Sequence, residues 1–275
     1  MTLGSLSSLA GLLKKASLAG AFFVPAIWLS AVQAQALCPA PQPLSYAQVE
    51  RVVDGDTLRL KDGRSVRMIG LNAPETGKKG QSAEPFADAA RKRLQTLVAL
   101  SDGRVGLLPG KQAKDRYGRT LAYVFGADGS NLEAQLLADG LAYQVAIAPN
   151  VELVGCQQAA ERRARTNGVG LWRQSPVVSS HNISRSGFAV VGGKVSQVQR
   201  NRGGLWIDLQ GGLVVHIAPK DLGYFDQKTL AKLQGAQVEV RGWVLDRSRR
   251  GGLKAGQARW MLPVTHPGML QIISE

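Results

Sequence analysis

Residues 49–71 read VERVVDGDTLRLKDGRSVRMIGL, and this stretch decides the fold. It holds three short runs of alternating apolar residues, at 49–53, 57–60 and 65–71. Asp54-Gly55-Asp56 and Lys61-Asp62-Gly63 separate them, and Asp and Gly supply the side-chain acceptors and backbone freedom that tight turns need. A helix is expected next. Pro85 suits a first helical position, and Phe86, Ala89, Ala90, Leu94, Leu97 and Val98 recur at helical spacing. Residues 105–108 and 120–125 are two further strands, residues 131–138 a short helix stopped at Gly140, and residues 151–165 a helix ended by Asn167-Gly168. Five strands with one helix inserted and others following imply a small barrel capped by about three helices.

The text after it repeats that logic. Residues 173–187, RQSPVVSSHNISRSG, are rich in Ser with Pro, Asn and Gly, and are expected to be a linker. Strands follow at 189–198, 205–209 and 213–217, with a hairpin signal at residues 201–204. Asp226 is a good N-cap, with Phe225 and Leu230 placed as a hydrophobic staple and Gly235 as the stop. Strands at 237–245 and 258–262 flank a basic turn at 247–252. The order β-β-β-α-β-β is that of an OB-fold barrel. The expected fold class is therefore mainly β with α, built as two five-stranded barrels over residues 37–172 and 188–275.

The chain has 275 residues and a formal net charge of +14, from 34 Lys and Arg against 20 Asp and Glu. Such a balance disfavours polycationic partners and favours phosphate polymers or anionic surfaces. Three His and two Cys exclude a Cys/His zinc site of the finger type. The His residues are His181, His216 and His266, so a catalytic centre in the first barrel works without one.

Residues 1–36 have the layout of an export signal: Lys14 and Lys15, an apolar run at 16–30, and Ala34-Gln35-Ala36 as a cleavage site. The apolar run is short for a spanning helix and contains Pro25. Export to the periplasm or the medium is expected, with no stable membrane anchor after cleavage. Cys38 and Cys156 remain, and an even count in an exported chain reads as one disulfide. A monomer is expected.

Three segments carry chemistry: Asp54-Gly-Asp-Thr57, Arg67-Met-Ile-Gly-Leu-Asn-Ala-Pro-Glu75 and Asp115-Arg-Tyr-Gly-Arg119. Asp56, Asn72 and the Ala73 carbonyl are hard oxygen donors of the kind Ca²⁺ takes. Glu75 lies just beyond them, where a carboxylate can take a proton from water. Arg67 and Arg119 can clamp a phosphate with paired N–H donors.

Taken together these segments resemble the staphylococcal-type thermonuclease (SNase-like) family over roughly residues 45–172. The resemblance implies a Ca²⁺-dependent nuclease on an OB barrel, acting on DNA and RNA with little sequence preference and leaving 3′-phosphate ends. By motif, Asp56 resembles the metal carboxylate and Ala73 the backbone ligand. Asn72 stands where the founding member has a second metal-binding Asp. Arg67, Glu75 and Arg119 resemble the catalytic trio. Asp54, Thr57, Asp115 and Tyr117 take supporting places. The founding member's base-stacking tyrosines follow a Gly-Leu-Ala matched by Gly140-Leu141-Ala142, whereas here one aromatic, Tyr143, stands in a shifted place.

The second barrel resembles a bacterial OB-type nucleic-acid-binding module. Trp206, Trp243, Trp260 and Tyr224, with Arg200, Arg202, Arg247, Arg249 and Arg250, form either a basic stacking face or ordinary core and turns. Two other readings follow from the same residues. One is a silent SNase-fold protein of the envelope that binds nucleic acid. The other is a lipid-binding protein, disfavoured because no basic amphipathic helix is legible.

Overall fold

A computed structural model describes residues 36–77, 80, 82–250, 253 and 256–273. Apart from Ala36, the expected export signal lies outside the described residues. Residues 36–275 form one compact unit.

The elements follow in order. β1 (Ser45–Asp54), β2 (Thr57–Leu60), β3 (Ser65–Met68) and β4 (Leu71–Asn72) precede α1 (Ala87–Ala99). Next come β5 (Arg104–Lys114), β6 (Thr120–Phe125), α2 (Leu132–Ala138), β7 (Tyr143–Gln144) and α3 (Val154–Thr166). Then come β8 (Val177–Ser179), β9 (Gly187–Asn201), β10 (Gly204–Leu209), β11 (Leu213–Ile217) and α4 (Gln227–Ala231). The chain finishes with β12 (Gln237–Asp246), β13 (Trp260–Pro263) and β14 (Leu270–Ile272).

The first five-stranded sheet closes as a barrel in the order β1-β2-β3-β6-β5, with β3 and β6 parallel and the other pairs antiparallel. Leu58, Leu60, Val66, Val105 and Val124 fill it and are fully buried. Each such side chain taken out of water contributes about 1.5–3 kcal/mol. α1 caps it through Ala90, Leu94, Leu97 and Val98, all buried.

The second sheet runs β14-β12-β13-β11-β10-β9-β8. Its β12 also pairs with β9, so β9-β10-β11-β13-β12 form a ring, with β11 and β13 parallel. That is the strand order of the first barrel. Asp226 caps α4 by accepting from the Thr229 N–H, and Phe225 and Leu230 are both buried in the second core.

Several expectations need correction. The strand expected at 65–71 ends at Met68; Gly70 beyond it takes φ 95°, and the Gln157 side chain occupies the place a Cβ there would need. The piece beyond, β4, leaves the barrel to pair with β7. Pro85 is not the first helical residue: Phe86 takes a left-handed conformation as the N-cap, and Ala87 rather than Ala89 faces the core. The helix expected from 151 starts at Val154. Its predicted first turn is held open by Asn150, which bonds across to Gln112 through both its amide oxygen and its amide nitrogen.

The stretch expected as a linker is part of the second sheet. β8 adds in parallel to β9, and the buried Ser180 hydroxyl donates to the Gln210 carbonyl. Val177 and Val178 give an edge strand its side chains, which the Ser-rich composition masks. β14 was not expected.

The two barrels share a core and a set of buried charges. Val145, Ala146 and Val154 pack in the second barrel's apolar cluster. Arg241 on β12 bonds Glu161 on α3 at 2.6 and 2.8 Å, Glu239 at 2.7 Å and the Gln144 carbonyl at 3.3 Å. Arg165 bonds Glu239 at 2.5 Å. Burial works against the charge on Glu239, but its bond to Arg165 and the nearby Arg241 charge outweigh it and hold the carboxyl below its usual range. Cys38 and Cys156 are joined in a disulfide, Cα–Cα 5.7 Å, across 118 residues. Leu37 fixes the same segment through the Ser130 hydroxyl and the Asn131 N–H.

Candidate active site

The β1–β2 hairpin places two acids at one end of the first barrel. Asp54 pairs with Thr57 across a two-residue turn, and its Oδ1 accepts from the Asp56 N–H at 3.1 Å. Gly55 is required by a close approach: a Cβ there would stand 2.6 Å from the Ala73 Cβ and 2.7 Å from the Ala90 Cβ. The turn is thus wedged between the end of β4 and helix α1. Asp56 is buried; its Oδ1 accepts from the Thr57 hydroxyl at 3.0 Å and its Oδ2 from the Ala73 N–H at 3.0 Å.

Arg67, opposite Thr57 on β3, reaches into this group. It forms an ion pair with Asp56 and donates to Asn72 Oδ1 at 3.1 Å and to the Leu71 carbonyl at 3.3 Å. Burial, and next the positive charge of Arg119, push its pKa down to about 10, while Asp54, Glu75 and Asp115 act the other way. It therefore stays charged at neutral pH. That mutual influence brings the three sequence segments into one electrostatic cluster.

Arg119 opens the path to β6 through a turn that Asp115 organises. Asp115 accepts the N–H groups of Tyr117 and Arg119 at 2.9 Å each and the Arg119 side chain at 2.7 Å. Gly118 takes φ 81° in this turn. Burial raises the Asp115 pKa, but the Arg119 side chain and these backbone donors outweigh it and keep the carboxyl below its usual range. Tyr117 is 69% exposed, with the Arg119 guanidinium 5.6 Å from its ring and that of Arg116 at 4.8 Å.

Glu75 is exposed, and its backbone rather than its carboxylate is held. Its N–H donates to Glu84 Oε2 at 2.9 Å, and its carbonyl accepts from the Glu84 N–H at 3.0 Å. Nothing in the sequence singled out Glu84, because its role appears only when the loop after β4 folds back toward α1.

No cluster of three or more His, Cys, Asp and Glu that could hold a metal occurs among the described residues. The donors at this end are the Asp56 carboxylate, the Asn72 amide oxygen and the Ala73 carbonyl, with Asp54 beside them. All are oxygen, which suits a hard cation of the Ca²⁺ type and not zinc. An ion there would share Asp56 and Asn72 with Arg67.

The second-barrel residues lie elsewhere in the fold. Trp206 is half-buried, with its ring stacked on His216 at 4.0 Å and the Arg247 guanidinium 5.7 Å away. Trp260 is core at 7% exposure, whereas Trp243 is 38% exposed. Arg200 and Arg202 are exposed on β9 and its hairpin. The exposed Arg249 stands 3.9 Å from Asp246.

A known family matches the chain from β3 onward through α3. The family model described as staphylococcal nuclease homologue matches residues 65–174. A thermonuclease of Staphylococcus intermedius is 36% identical over 129 residues, covering 46% of this chain and 75% of that protein. A thermonuclease of Staphylococcus hyicus is 37% identical over 129 residues, covering 46% and 74%. Endonuclease YncB of Bacillus subtilis is 30% identical over 141 residues, covering 50% of this chain and 65% of that protein. A relative 36% identical and matched over 75% of its own length, together with the family model, shows the family: the chain belongs to the staphylococcal nuclease (SNase) family.

Proposed function

We propose that this protein is an exported, Ca²⁺-dependent nuclease that hydrolyses DNA and RNA with little sequence preference and leaves 3′-phosphate ends. The observation that carries the reading is the contact set at one barrel end, where Arg67 pairs with Asp56 and donates to Asn72 while Asp56 accepts from the Ala73 N–H, with the charges of Arg119 and Glu75 bearing on Arg67. Relatives bearing the names thermonuclease and endonuclease support the reaction class.

In this mechanism Glu75 takes a proton from a water whose oxygen attacks the phosphorus. The bond from phosphorus to the 5′-oxygen breaks, that oxygen takes a proton from solvent water, Glu75 returns its own proton to solvent, and the phosphate stays on the 3′ side. Arg67 and Arg119 donate to the phosphate oxygens as negative charge builds in the transition state. Asp115 holds Arg119 in place for that task. When bound, the cation held by Asp56, Asn72 and Ala73 supplies further positive charge against the phosphate. The basic second barrel keeps the polymer close.

One observation favours a second reading, a silent nucleic-acid-binding protein. Asn72 brings no charge, and Arg67 already lies against both Asp56 and Asn72. The deciding experiment incubates the chain from Leu37 onward with single-stranded and duplex DNA, with Ca²⁺ or with a chelator, beside Glu75→Gln. Ca²⁺-dependent cleavage that drops about 10²-fold or more in the variant supports the enzyme. Salt-sensitive binding without cleavage supports the silent protein.

A further inference from the structure

Four aromatic rings run in a chain along the seam between the barrels. Trp172 meets Tyr143 edge-on, with centroids 5.7 Å apart and planes at 82°. Tyr143 meets Phe188 at 5.2 Å with a tilt of 36°. Phe188 lies directly across the β9–β12 ladder from Trp243, at 5.3 Å and 70°. Exposure rises along the chain: Trp172 is buried at 8%, Tyr143 and Phe188 are half-buried, and Trp243 is 38% exposed. One end is anchored in core, with the Arg165 guanidinium 4.3 Å from the Trp172 ring, and the other end meets water.

The middle of this chain reaches the catalytic end. Tyr143 is the residue opposite Asn72 on the β4–β7 ladder, and directly opposed residues of an antiparallel pair project to the same side. Glu84, which holds the Glu75 backbone, also bears on Tyr143. Burial first, and then the Glu84 charge, raise the Tyr143 pKa. A line of ring contacts therefore leads from Tyr143, opposite Asn72, to Phe188 and on to Trp243 of the second barrel.

A large indole held partly in water by a rigid aromatic neighbour is a platform for another flat ring. A nuclease substrate presents such rings, its unpaired bases, at every step beyond the phosphate being cut. Base stacking tolerates any sequence because every base has a π-face. We propose that Tyr143, Phe188 and Trp243 form an aromatic track on which the bases of a single-stranded stretch of substrate stack as it leaves the catalytic end. The second barrel would then complete the substrate-binding surface. The proposal rests on the nuclease reading above and deepens it.

The test compares Trp243→Ala and Trp243→Phe with the unaltered full chain. Binding is measured by anisotropy, with chelator present, to a dinucleotide and to a thymidine oligomer of about 12 nucleotides, within the range one such barrel covers. The alanine variant should bind the oligomer roughly 5- to 100-fold more weakly. The phenylalanine variant should recover most of that loss. Dinucleotide binding should hold, and so should the salt dependence, because no phosphate contact is removed. With Ca²⁺, KM for long single strands should rise by the same factor at unchanged kcat. Unchanged oligomer binding in Trp243→Ala, or equal losses on oligomer and dinucleotide, overturns the track. If the alanine variant melts too low to assay, Trp243→Leu, which keeps more apolar bulk than alanine without a π-face, replaces it against Trp243→Phe. Trp243-dependent oligomer binding in a chain that cuts nothing overturns the nuclease reading and leaves the track standing.

Discussion

The two barrels have one strand order and one parallel pair each, yet their equivalent hairpins differ in every residue. In the first, Asp54 pairs with Thr57 around Gly55-Asp56; in the second, Asn201 pairs with Gly204 around Arg202-Gly203. The acid that organises the first site is a glycine in the second. The turn between the last two barrel strands also differs. It spans residues 115–119, pinned by Asp115, in the first barrel, and residues 247–259 in the second. The same scaffold thus carries a charged cluster around Asp56 and Arg67 once and, on its other copy, Trp206 stacked on His216 beside Arg247. Architecture positions loops, and the chemistry resides in which side chains those loops carry.

The largest expected effect falls on the seam that joins the two barrels. Arg241→Ala should destabilise the protein by about 3–5 kcal/mol, because Glu161 is left buried without a cationic partner and Glu239 keeps only Arg165. Two separate unfolding transitions in a denaturant titration of this variant would show that each barrel then folds alone. The seam should also weaken in acid. Glu239 has its folded pKa below its unfolded value, so its contribution is present above about pH 4.3 and is lost as pH falls through the lower folded value. Loss of melting temperature below that pH, smaller in Glu239→Gln, checks this.

The second effect separates the barrels by function. Arg67→Ala and Arg119→Ala should each lower kcat by about 10²–10³. Arg247→Ala, on the second barrel, should leave kcat unchanged and weaken only polymer binding, by about tenfold or less. A kcat loss in Arg247→Ala equal to that of Arg67→Ala would erase the division of labour.

Reduction of the Cys38–Cys156 bond comes next, at about 2–4 kcal/mol of stability, because it closes a loop of 118 residues. Cys38→Ser with Cys156→Ser should reproduce that loss and leave the second barrel's strand ladders as protected from hydrogen exchange as before. The smallest effect is at the metal donors. Asn72→Asp adds a charged oxygen beside Asp56, and the Ca²⁺ concentration for half-maximal cleavage should fall about tenfold. A rise instead would mean that the new carboxylate pairs with Arg67 at the ion's expense.

Local text was enough for much of this. The run from Val49 to Leu71 alternates and turns as the first three barrel strands do, because period-two patterning and Asp-Gly turns are short-range properties. Asn131 and Asp226 cap their helices for the same local reason. The three charged segments were also legible, since each is a motif of a few residues. Tertiary structure alone decided the rest. Ser-rich residues 173–187 became an ordered edge because β9 offered Val177 and Val178 a ladder, which no composition rule records. β4 leaves the barrel just past Gly70, where Gln157, far along the chain, fills the space a side chain would need. Glu84, Arg241 and the ring sequence Tyr143, Phe188, Trp243 acquire their roles from residues remote in sequence. Burial, charge pairing and ring contacts are set by distance in space, and that is known only after the two barrels close on each other.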